Sequence, residues 1–135
     1  MTYHRAKLDG DFVVFLIGMR IRKPWAVHRW LPVYRAMRPL LESAGPADGL
    51  LGWERALIHG PAIVQYWRSQ EQLDAFARGA LHKTAWRNWN REIRESEAVG
   101  IWHETFQVHA HESTYVNLPV FGLAAAGRAA LPGQS

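Results

Sequence analysis

The chain contains no cysteine. That absence removes a disulfide scaffold, a thiolate zinc site, a cysteine-ligated iron–sulfur cluster and a cysteine nucleophile together. Long apolar runs are missing too: nothing approaches the roughly 18 consecutive apolar residues of a membrane span. The first ten residues carry Asp9 and are followed by Asp11, not by the apolar core of a signal peptide. A cytoplasmic protein with no membrane partner is the expectation. There is no Gly-rich phosphate loop, no His-Glu-x-x-His and no Gly-x-Ser-x-Gly, so ATP-, NAD- and zinc-dependent chemistry find no support. Sixteen Lys+Arg against 12 Asp+Glu leave a net charge of +4 that is spread along the chain. Such scatter gives no footprint for a nucleic-acid partner.

What the chain does have is tryptophan, seven in 135 residues. A buried indole N–H needs a hydrogen-bond partner, which makes Trp a demanding way to fill a small core. The length itself suits one compact domain with a core of its own. Residues 1–123 are read as that domain and residues 124–135, AAAGRAALPGQS, as a flexible tail.

Residues 11–20 form a nearly continuous apolar, β-branched and aromatic run, the pattern of a central strand. Gly18 interrupts it and marks a bulge, a close approach by a ligand or, more simply, a packing accommodation. Trp30, Val33, Tyr34, Met37, Leu40 and Leu41 then recur at helical spacing. Pro32 suits the first turn of that helix, Pro39 predicts a kink or break near Arg38, and Gly45-Pro46 closes the segment with Gly45 at a left-handed C′ position. Residues 50–58 and 62–68 read as a hairpin turning through His59-Gly60-Pro61. Along its second strand Ile63, Gln65 and Trp67 share one face, and Val64, Tyr66 and Arg68 the other.

Ser69-Gln-Glu-Gln72 has the form of a capping box opening a helix that Gly79 ends or bends. A further helix over residues 81–95 carries His82, Trp86, Trp89 and Ile93 at offsets of four, seven and eleven, on one face. Residues 99–108 and 113–118 are the last strands. Ile101, His103 and Thr105 face one way on the first of them, and Trp102, Glu104 and Phe106 the other. The order strand, helix, strand, strand, helix, strand is the βαββαβ arrangement of the ferredoxin-like motif, an α+β antiparallel sheet with helices on one face. The bare face predicts a homodimer in which two sheets meet.

His82, Trp86 and Trp89 would face the sheet. Trp67 or Tyr66, His103 or Trp102, and Asn117 or Tyr115 would answer them, depending on register. The result is an aromatic pocket with a few polar groups, as small-molecule sites have. The competing reading makes the indoles core and satisfies the histidines with backbone carbonyls. A histidine side chain titrates near enough to neutrality to exchange a proton there. His109, His111 and Glu112 are the one local metal-like spacing; lacking a third ligand nearby and lying where the chain turns, they read better as an exposed hairpin, and no metal site is predicted.

Gln65-Tyr-Trp-Arg-Ser69, Leu73, Phe76-Ala77, His82, Ala85-Trp86-Arg87, Asn90, Gly100-Ile-Trp-His-Glu-Thr105, Tyr115-Val-Asn-Leu-Pro119 and Phe121-Gly122-Leu123 make up a recognisable pattern. In it the chain resembles the DUF4188 family, also called monooxygenase-like after a fungal biosynthetic oxygenase. The resemblance implies a dimeric α+β barrel, which agrees with the element order. That fold also hosts haem proteins, isomerases and plain binders, so the chemistry must be argued from side chains.

Two classes of function compete. The first is a cofactor-independent monooxygenase acting on a small aromatic or polyketide-like molecule. A base removes an acidic proton, and the delocalised anion itself reduces O2. His82 or His103 is then the base, Asn117 and an indole N–H steady the anion, and Trp67, Trp86, Trp89, Trp102, Tyr115 and Arg68 line the substrate. A haem site in the same cavity is the alternative enzyme reading, with His82 or His103 axial and Arg68 or Arg87 near the propionates. The non-enzymatic reading is a small-molecule binding module.

Overall fold

A computed structural model of the chain describes residues 3–6, 11–81, 87, 94 and 97–122. In chain order the elements are β1 (Tyr3–Ala6), β2 (Phe12–Ile21), α1 (Val27–Glu42), a short 3-10 turn (Pro46–Asp48), β3 (Leu50–Leu57), β4 (Pro61–Trp67), α2 (Gln70–Leu81), β5 (Val99–Val108) and β6 (Ser113–Val116). Four strands make one sheet in the order β3-β4-β2-β5, every neighbour antiparallel. This is the ferredoxin-like α+β arrangement that the element order predicts. β1 and β6 form a separate antiparallel ribbon, with Tyr3 opposite Val116 and Ala6 opposite Ser113. The sequence pattern does not predict β1: its four residues, Tyr-His-Arg-Ala, are too few and too polar to stand out.

Alternation along β2 sets the two faces of the sheet. Val13, Phe15, Ile17 and Met19 point toward the helices, while Phe12, Val14, Leu16 and Gly18 point away. The helix-side core falls into two clusters. Met19 packs with Ala26 and Val33 of the α1 end and with Ala98 and Val99. Val13, Leu50 and Trp67 pack with Leu41 of α1 and Leu73 of α2. Both helices therefore cover the same side.

Local chemistry departs from expectation at several points. Pro32 lies in the second turn of α1, not the first, and the helix continues through Pro39 to Glu42 without a break. Packing of Val33 and Leu41 on the sheet holds α1 together across the two missing N–H donors. Gly45 is extended, at φ −155; the left-handed residue is Gly49 at φ 93, after the 3-10 turn. A side chain on Gly49 would also strike Gln72, 2.5 Å away. Gly79 does not end α2, which runs on to Leu81. The Ser69 cap forms, with the Gln72 N–H donating to its hydroxyl at 3.2 Å. Gln72 returns to that same hydroxyl, which donates to its Oε1 at 3.1 Å. β6 stops at Val116 because Asn117 turns left-handed at φ 57, two residues ahead of Pro119. The stripe of His82, Trp86 and Trp89 lies outside the described residues, as does the tail 124–135.

Candidate functional site

Between the two core clusters, α1 stands off the sheet and leaves a cleft of about 670 Å³. Its floor is Ile17 and Met19 of β2 with Ile63 of β4, and its α1 wall is Val33, Tyr34, Arg35 and Pro39. The β3–β4 hairpin supplies Arg55, Leu57 and Pro61. The walls are mainly aliphatic, and two of the apolar side chains remain open to solvent, Tyr34 at 49% and Leu57 at 85% exposure. A mostly apolar concavity with a few polar groups is the usual makeup of a small-molecule site.

His103 stands next to this floor. It is the β5 register partner of Ile17 and shares the helix-side face with it. Its ring lies 5.6 Å from that of Phe15, with the planes inclined at 37°. The sequence leaves open which of His103 and Trp102 faces the helices; the register places His103 there and Trp102 on the opposite face.

The other proposed site residues among those described are dispersed. Trp67 has no exposed surface: its ring packs 5.1 Å from Phe76 and its indole N–H donates to Gln65 Oε1 at 2.9 Å. That satisfied, sealed indole belongs to the core, which corrects its assignment to substrate binding. Trp102 lies against Gly18 on the face away from the helices, so the accommodation reading of Gly18 holds and the strand carries no bulge there. Arg68 follows β4, and its N–H donates to the Gly49 carbonyl at 2.8 Å. Tyr115 is buried, with its hydroxyl donating to the Phe121 carbonyl at 2.8 Å. Asn117 is exposed beyond β6, and neither it nor Tyr115 lines the cleft.

Tyr115 is instead part of a latch. The Gly122 N–H donates to Glu54 Oε1 at 3.0 Å, across 68 residues of chain. Tyr66 lies beside this pair, and burial pushes its phenol above the ordinary value of 10.0, with Tyr115 and then Glu54 adding to the effect. The two hairpin histidines are held separately: His109 Nδ1 is 3.0 Å from Asp11, and the His111 ring meets Phe12 edge-on at 5.1 Å.

Sequence reasoning missed the α1 cleft. One signal was available: Trp53, Arg55 and Leu57 alternate on the helix-side face of β3, so Arg55 places a charge between two apolar side chains on that face.

With this geometry in hand, the comparisons with known proteins define a class. Residues 12–123 match the monooxygenase af470-like family, which takes in the whole four-stranded sheet. The chain belongs to that family. No curated protein matches it. Among solved structures it is similar to an ethyl tert-butyl ether (EthD) family protein from Bacillus halodurans C-125, at 10% identity and a TM-score of 0.37. That match covers 70% of this chain and 97% of the other.

Proposed function

We propose that the protein is a monooxygenase that oxidises a small ring-bearing or polyketide-like molecule held between α1 and the sheet. The observation that carries this reading is the cleft of about 670 Å³, within the size range of small-molecule sites. Family membership supports the reaction class. The substrate supplies the electrons. A base takes a proton from a methylene group activated by conjugation to a carbonyl, directly or through adjoining rings, and the resulting carbanion passes one electron to O2. Combination of the radical pair gives a peroxide, which loses water to leave a ketone. Each methylene and each O2 consumed yield one ketone carbonyl and one water, with no external reductant. His103, beside the cleft floor, is the proton acceptor among the described residues, and His82 is the other candidate.

A haem held by the same histidines, His82 or His103, is the alternative that a Soret band would reveal. The face away from the helices carries Leu16, Val64, Trp102 and Phe106, with Phe106 48% exposed. A second copy of the chain covering this face completes the proposed assembly.

The test is aerobic incubation with a panel of ring ketones bearing an activated methylene, anthrone among them. Oxygen uptake is followed at an electrode, product by absorbance. Equimolar oxygen uptake and ketone formation is the expected result. A Soret band in the purified protein would overturn the cofactor-free mechanism, and absence of both binding and turnover across the panel would overturn the function.

A further inference from the structure

Given that the cleft is the substrate site, we propose that it selects molecules carrying an anionic group on an apolar ring body, with Arg55 and Arg35 as the counter-charges. The two guanidiniums come from different walls, Arg35 from α1 and Arg55 from β3. Among the described residues they are the only formal charges lining the cleft, and no carboxylate lines it. Neither Arg35 nor Arg55 forms an ion pair with any described residue.

Arg55 stands on the edge strand β3, exposed at the rim of the cleft. It lies opposite Ile63 on the helix-side face, with Trp53 and Leu57 before and after it on that face. An aliphatic residue there would extend the apolar floor. An arginine sets a charge beside aliphatic walls instead. Its planar fork matches a carboxylate or enolate oxygen pair. The exposed apolar surface of Leu57 and Tyr34 at the mouth offers contact area for the ring. An anion held this way also suits the chemistry: cationic neighbours favour the deprotonated form of an enol or phenol, which is the form that reduces O2.

The test uses two probes of one shape, 2-naphthoate and its neutral amide, 2-naphthamide, titrated against the whole chain by calorimetry. The naphthoate should bind about tenfold more tightly, the increment of one charge-assisted hydrogen bond. Added NaCl should weaken the naphthoate alone. Arg55→Met and Arg35→Met, both at exposed positions, should each shrink the ratio of naphthoate to naphthamide affinity, and Arg55→Lys should keep part of it. Equal binding of the two probes by the wild type overturns the anion preference and leaves the cleft as the site. Binding of neither probe overturns both. A preference that survives in both Met variants places the anion elsewhere and also overturns the inference.

Discussion

The indole of Trp102 occupies the space that a side chain on Gly18 would need: a Cβ there would lie 2.5 Å from the ring. The two residues are register partners, Trp102 on the edge strand β5 and Gly18 on the inner strand β2. Gly18→Ala should therefore cost about 1–3 kcal/mol, the usual penalty of overpacking. Combining it with Trp102→Leu should return part of that loss. Urea denaturation of the two single variants and the double variant measures this directly. Additive losses would mean that the contact is not what constrains Gly18.

Trp67 should behave as core and not as a ligand-binding ring. Trp67→Phe removes the donor to Gln65, which is itself buried, and should cost about 1–3 kcal/mol from the orphaned amide plus a packing loss. Gln65→Leu added to it should recover stability. Probe affinity at the cleft should be unchanged in both, as calorimetry would show.

His103 is exposed, so His103→Ala should leave stability within about 0.5 kcal/mol. If it is the proton acceptor, turnover of an activated ketone should fall about a hundredfold or more. Full turnover in this variant would pass the role to His82.

Tyr66 makes stability depend on pH at the alkaline end. Its folded-state value is raised above 10.0, so the folded chain holds this proton more tightly than the unfolded chain does. The contribution is fully present below pH 10 and is lost as pH rises through the folded value. Guanidinium midpoints from pH 9 upward should fall more steeply in the wild type than in Tyr66→Phe, as about one linked proton requires.

For the homodimer, light scattering at micromolar concentration should give twice the monomer mass. Trp102→Glu, placing a charge on the sheet face away from the helices, should return it to a monomer. A monomeric wild type would refute the assembly.

The four-strand order is readable because each strand announces itself by alternation or by a sustained apolar run, as in β2, and each helix by its period. The two faces of β5 are readable for the same reason, which places His103 and Trp102 on opposite sides. Tertiary contacts are not. Nothing in the local sequence says that Trp67 is sealed by Phe76 from α2, that Gly122 reaches Glu54, or that α1 spans two core clusters with a gap between. Aromatic spacing therefore suggests a pocket lining, while the described cleft is bounded by aliphatic groups and arginines. Pro39 misleads for a related reason: propensity argues for a break, but burial of Leu41 two residues later outweighs it.

The prolines of α1 carry a kinetic consequence. Pro32 and Pro39 have no hydrogen to return to the carbonyls of His28 and Arg35, so this 16-residue helix lacks two rungs of its ladder. Arg35 and Pro39 of this helix also line the cleft. A helix with missing rungs opens locally for less free energy than an unbroken one. Amide exchange in α1 should outpace that in β2 and β4, making the helix the hinged side of the cleft and the sheet its fixed bed.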